Sequence, residues 1–290
     1  MKKNRVNYIT SITMIIAFLA TCLNGYSQDK KAKLEKADKK YELSIAVGGP
    51  FSFINYRTPQ ETVLGNGFSA DIRYSYYLNE GLSIGLGVEY QTYTSATKSG
   101  FVTGQYAATD ADNESFQFRY KAANFREEQK LGYVNIPVGI QFETSGKTKL
   151  YLGAGAKIGF AVNGTYETTI ENLTTSGYYP QYNVELFNPA FAGFGNTANI
   201  NTGKQDLSTE ISYSATIEAG VKQSIGAKKS IYIGLYLDYG LNNIYEKQSK
   251  NVVQYNPEIP VALSYNTVLN SVYDDVKLLS YGLKLRFALR

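Results

Sequence analysis

The stretch that decides the fold is Leu279-Ser280-Tyr281-Gly282-Leu283-Lys284-Leu285-Arg286-Phe287-Ala288-Leu289. Its odd positions are all aliphatic or aromatic, and its even positions are Ser, Gly, Lys, Arg and Ala. A period of two marks a strand with two unlike faces. Just upstream, Ile231, Ile233, Leu235, Leu237 and Tyr239 oppose Tyr232, Gly234, Tyr236, Asp238 and Gly240. The same alternation runs through 209–225, 149–165, 131–143, 82–94 and 67–78. It is less regular in 41–54, where Gly49-Pro50 interrupts it. The connections 79–81, 144–148 and 226–229 are short, whereas those near 55–66, 95–127, 166–206 and 246–276 are long. Eight alternating segments with short and long ends predict an all-β fold: an eight-stranded antiparallel transmembrane β-barrel over 41–290, with short periplasmic turns and long extracellular loops.

The charges decide which face meets which solvent. In the seven clear segments the apolar face carries no charge. The opposite face holds Asp71, Arg73, Glu89, Lys157, Glu210, Glu218, Lys222, Asp238, Lys284 and Arg286, five acids and five bases. Such a set cannot line the dry core of a soluble barrel, because each unpaired charge would cost several kcal/mol. It can line a membrane barrel's lumen as an ion-pair network. The apolar face then points to lipid, and Tyr and Phe near the strand ends supply interfacial girdles. Tyr77, Tyr93, Tyr133, Tyr151, Tyr232 and Tyr236 share the inward parity, so the lumen of so narrow a barrel should be filled. Pro137 falls inside a strand and requires a local bulge there.

Ahead of the barrel, Lys2, Lys3 and Arg5 precede an apolar stretch from about Ile9 to Leu23, with Gly25 and Ser27 before Gln28. This reads as a cleaved secretory signal over 1–27, too short to span a bilayer as a helix. It implies Sec-dependent export. Residues 28–40, rich in Lys, Asp and Glu, read as a polar periplasmic tether; the charged run continues through Glu42.

Composition removes several function classes. The 290 residues carry a formal charge of +4, of which the leader supplies three, so bulk charge argues against a nucleic-acid binder. There is no His, and the one Cys lies in the leader. Disulfide frameworks, Cys- or His-based zinc sites and His-dependent triads are therefore excluded. Gly153-Ala154-Gly155 with Gly159 is spaced wrongly for a dinucleotide loop and alternates as a strand. Asp110, Asp112 and Glu114 lack the rest of a calcium loop and read as a solvated loop tip. No catalytic, metal or cofactor residue is expected, and the chain reads as non-enzymatic.

Val134-Asn135-Ile136-Pro137-Val138-Gly139-Ile140, with the strand plan and the Ser27-Gln28 leader end, resembles the PorT-like, or porin-family, outer-membrane β-barrels of Bacteroidetes. That resemblance implies an integral barrel of the cell outer membrane and maps no functional residue. Ser280, Gly282, Leu285 and Phe287 are similar to the terminal-strand signal read by the barrel-assembly machinery, although the chain runs three residues past Phe287. An amphipathic strand can offer its edge to an open sheet in this way. The expected partners are thus outer-membrane lipid, the assembly machinery and, through loops 95–127 and 166–206, a protein. The expected role is surface interaction or accessory service to an outer-membrane assembly or secretion system. A small passive pore and a loop-based ligand binder remain as alternatives.

Overall fold

The computed structural model describes residues 40–226 and 228–290. The leader and nearly all of the tether lie outside the described residues. Thirteen strands follow in chain order: β1 (Tyr41–Asn55), β2 (Glu61–Leu64), β3 (Ser69–Tyr77), β4 (Leu82–Thr109), β5 (Ser115–Glu143), β6 (Thr148–Tyr179), β7 (Val184–Leu186), β8 (Gly195–Asp206), β9 (Ser212–Ile225), β10 (Lys229–Gly240), β11 (Val253–Asn256), β12 (Ala262–Tyr265) and β13 (Lys277–Leu289). Two 3-10 turns, η1 (Ala190–Ala192) and η2 (Val268–Ser271), complete them.

Eight of these strands close into a ring, β1-β3-β4-β5-β6-β9-β10-β13 and back to β1, every pair antiparallel. β13 closes it, pairing Leu43 with Leu289 on one side and Lys229 with Leu289 on the other. Closure leaves no unpaired edge in the membrane, where no water could satisfy one.

Around the ring the apolar parity faces outward. Ile45, Val47, Ile72, Leu86, Val88, Ile140, Leu152, Ile233, Leu283 and Leu285 are each more than two-fifths exposed. A soluble protein would bury this surface, whereas lipid accepts it. Rings border the band: Tyr41 stacks on Tyr74 toward the short turns, and Phe51 on Tyr281 toward the long loops, at 6.4 and 5.1 Å between centroids. On β5 the band ends where Lys130, Glu128 and Arg126 take the outward positions.

Four expectations need correction. Stretches 95–127 and 166–206 are not simple loops: β4, β5 and β6 run to 28, 29 and 32 residues and project well past the lipid band, with β2, β7 and β8 added alongside. Pro137 sits in a gap rather than a bulge, since pairing stops at Leu86↔Val138 and resumes at Glu89↔Asn135 without a register change. A proline has no N–H to give the ladder, and Gly87 opposite leaves it room. The charged lead-in ends earlier than Glu42, which already belongs to β1. β9 starts at Ser212, so Glu210 lies before it and is exposed.

The projecting strands reverse their faces. On β5, Glu127, Gln129, Leu131 and Tyr133 point inward, but so do Phe116, Phe118, Tyr120 and Ala122, which have the other parity. The switch falls at Asn124, whose φ of 48° lies in the left-handed region that Asn tolerates. β4 switches at the same level, around Gly100, so pairing continues from Ser99↔Phe125 to Phe101↔Ala123. Below this level apolar side chains face lipid. Above it they face inward, because water now lies outside.

Candidate functional site

The lumen is filled in layers. Nearest the short turns, Lys222 Nζ lies 2.8 Å from Glu42 and 3.1 Å from Glu143, and Lys149 reaches Glu143 at 3.2 Å. The Tyr77 and Tyr232 hydroxyls donate to the same two carboxylates, and Lys222 sits 4.7 Å above the Tyr232 ring. In the next layer Arg286 holds both oxygens of Glu218 at 2.7 Å and donates to Gln141. Tyr151 donates to Glu218, and Arg73 lies against Gly85, where a Cβ would come within 2.2 Å of Arg73 Nε. Above that, Lys157 bridges Glu89 at 2.7 Å and Asp238 at 2.8 Å, while Lys284 contacts Asp71 at 2.7 Å and Glu89 at 3.6 Å. The Lys284–Asp71 contact is close but misses hydrogen-bond angles, leaving it electrostatic in character.

Nine of the ten charges singled out from the sequence therefore meet in one interior. Glu210 does not: its backbone carbonyl accepts from Tyr133, and its side chain is in solvent. Three partners were missed. Glu42 and Glu143 are within 2% of full burial, and Lys149 is partly covered. Glu42 was hidden by the charged run before it, and Glu143 ends a strand whose parity would have placed it. With them the set stays balanced at six acids and six bases. Burial costs least where the pairs are both close and hydrogen-bonded, as at Lys222–Glu42, Arg286–Glu218 and Lys157–Glu89. All six inward tyrosines named from parity are at most 5% exposed.

An apolar layer caps the charges toward the long loops. Ile54, Tyr93, Leu131, Tyr133, Leu207 and Ile244 pack there against Leu269, Val272 and Leu278. The connection between β10 and β13 thus folds down into the barrel mouth. A polar chain fastens it. Tyr56 donates to Gln129, which donates to Glu127, and Thr267 Oγ1 and the Val268 amide also donate to Glu127, at 2.7 and 2.9 Å. Glu127 has no cation beside it among the described residues, and it lies above the lipid band. Burial raises its carboxyl above the ordinary value of 4.5, although these three donors and the Thr168 hydroxyl, which donates to it at 3.2 Å, pull the other way.

Above the mouth the projecting strands carry their own core. Phe116 meets Tyr179, Phe194 and Tyr255 at 5.1–5.5 Å between centroids. The β11–β12 hairpin supplies Tyr255, and Tyr106 clips it in place by donating to Val253 O and accepting from Tyr255 N. Aromatic pairs in these geometries give about 0.5–1.5 kcal/mol each beyond burial.

The terminal-strand residues have plain structural places. Ser280 is buried and shares its hydroxyl with Ser52 and Tyr236. At Gly282 a Cβ would fall 2.0 Å from Gly49 O. Leu285 and Phe287 face outward. No cluster of Asp and Glu among the described residues could hold a metal ion, and the Asp110 turn is closed on itself by Asp112 N and Glu114 N.

Several solved outer-membrane proteins are similar to this chain over most of its length. Neisserial surface protein A is 11% identical, with 87% of this chain and 97% of that one covered and a TM-score of 0.37. Ail, the attachment invasion locus protein of Yersinia pestis, is 14% identical, with 86% and 99% covered and a TM-score of 0.30. A major outer membrane protein of Thermus thermophilus is 11% identical, with 87% and 100% covered and a TM-score of 0.35. No curated protein matches the sequence. The assignment rests instead on the sequence family, which matches residues 26–246. The chain belongs to the outer membrane protein beta-barrel domain family.

Proposed function

We propose that this outer-membrane protein is a non-enzymatic barrel with a closed lumen that acts through its projecting strands as a surface-interaction module. One observation carries the reading: the ion-paired lumen is capped by an apolar layer, while the extension of β4, β5 and β6 stands beyond the lipid band on a packed aromatic core of its own. A protein built to pass solutes would keep a wet lumen, with a surplus of one charge sign if selective. This lumen is balanced and covered. A barrel built only to sit in the membrane would not need a rigid extension with its own core.

Short turns toward the periplasm and long connections outward is the arrangement of outer-membrane barrels, and Sec-dependent export after cleavage near Gln28 fits it. The PorT-like resemblance favours accessory service to a secretion or assembly system as the context for the interaction. The barrel-assembly machinery would read β13 during insertion. An epitope inserted at Asn113 or Asn196, both exposed, should bind antibody on intact cells. Labelling only after permeabilisation would overturn the topology and, with it, the surface role.

A further inference from the structure

The far end of the extension pairs exposed apolar knobs with charge of one sign. Phe191 is 85% and Ile259 89% exposed, the highest among the large hydrophobic side chains of the described residues, and Phe187 is 56% exposed. The lipid band cannot explain them, because they lie beyond the aromatic core. They also belong to one surface. Phe191 is on η1, whose following Gly193 would place a Cβ 2.9 Å from Val261, two residues from Ile259. The β4–β5 turn is tied to the same end, since Tyr179 donates to Asp110 and Tyr182 to Glu114.

The segments that build this end, 104–118, 178–203 and 251–266, contain Asp110, Asp112, Glu114, Glu185 and Glu258 and not one Lys or Arg. Arg119, Lys204 and Lys250 stand just outside them, and Arg119 is spent on Glu185 at 2.9 Å. An apolar patch rimmed by polar groups marks an interaction site, and the sign of the rim selects the partner. A second copy of this chain would bring Asp110, Asp112, Glu114 and Glu258 against the same four acids. An anionic lipid surface would be repelled in the same way. Resting on the outward orientation argued above, we infer that this tip docks a basic amphipathic polypeptide segment, its apolar face over Phe191 and Ile259 and its Lys or Arg side chains over the acidic rim.

The test uses the full barrel in phosphatidylcholine nanodiscs and a synthetic Leu/Lys amphipathic 14-residue peptide, read by fluorescence anisotropy. The variants are F191S/I259S and D112N/E258Q. All four side chains are exposed, and heat-modifiable migration verifies the fold. The expected result is saturable binding above that of empty nanodiscs, weakened at least tenfold by either variant and by raised salt. Binding no stronger than to empty nanodiscs overturns the inference. So does equal binding by both variants, or by a lysine peptide with no apolar face. Capture of phosphatidylglycerol vesicles in place of the peptide would assign the tip to lipid and overturn it too. If the Asn113 epitope is reachable on intact cells while the peptide fails to bind, the partner class falls and the surface role stands.

Discussion

Replacing Lys157 by methionine probes the lumen directly. The side chain is 6% exposed, and it supplies the one cation in contact with Asp238 among the described residues. Methionine fills most of the stem's volume and removes only the charge. Glu89 would keep Lys284 at 3.6 Å and the Asn135 amide at 3.0 Å. Asp238 would keep no cation, and its Oδ1 already has no partner. Removing one member of a buried pair costs about 3–5 kcal/mol. At about 1.4 kcal/mol per decade that is roughly two to three and a half decades in the unfolding constant. The double variant K157M/D238N removes the stranded charge and should recover about 0.5–3 kcal/mol of the loss, the coupling usual between residues in contact. The chain has no Trp, so urea unfolding in lipid vesicles is followed by far-ultraviolet circular dichroism together with gel mobility. A single-variant cost under about 1 kcal/mol would mean that water solvates Asp238 and that the lumen is wet. A double variant no more stable than the single would refute the pairing.

Gly282→Arg should abolish the folded, heat-modifiable form while leaving export across the inner membrane intact, because even a Cβ there meets Gly49 O at 2.0 Å; normal barrel on a gel would refute the reading. Phe287→Asp places a charge on the lipid face and should slow insertion, at a cost below the roughly 2–4 kcal/mol of a mid-membrane Lys or Arg, measured as the folded fraction in vesicles. Glu127 predicts a pH dependence of the mouth cover. Its carboxyl is raised by burial, so the folded state holds the proton more tightly than the unfolded one. The contribution of this group is then fully present below pH 4.5 and is lost as pH rises through the raised value. Hydrogen exchange at Val268 and Leu269, corrected for intrinsic rates, should show protection falling across that window, and Glu127→Gln should flatten the dependence; an unchanged slope in the variant would refute it.

The barrel was legible because lipid leaves a simple pattern. Ile231 to Tyr239 and Leu279 to Leu289 alternate without exception, and the charges confined to the other face, nine of the ten named lying inward, declare which face is which. The extension was equally periodic but harder to place. Phe116, Phe118, Tyr120 and Ala122 alternate with Ser115, Gln117, Arg119 and Lys121 and share the even parity of Val134 to Phe142, yet they face the opposite way. The left-handed Asn124 reverses the face without a register shift, and such a reversal leaves no compositional mark stronger than an Asn. The packing of Tyr255 and Leu269 under the extension and mouth depends on contacts more than a hundred residues apart, which periodicity does not encode. Glu210 shows the opposite error: its parity was right, but its strand had not yet begun.

Paired charges below and an apolar layer above shut the lumen. The most direct measurement is single-channel recording of the purified barrel in planar bilayers, with K157E and R286E alongside. A shut lumen gives no steady conductance from the wild-type protein at any applied voltage that the bilayer withstands. Reproducible unitary steps whose ion selectivity shifts in either variant would contradict it and make the passive pore the better description.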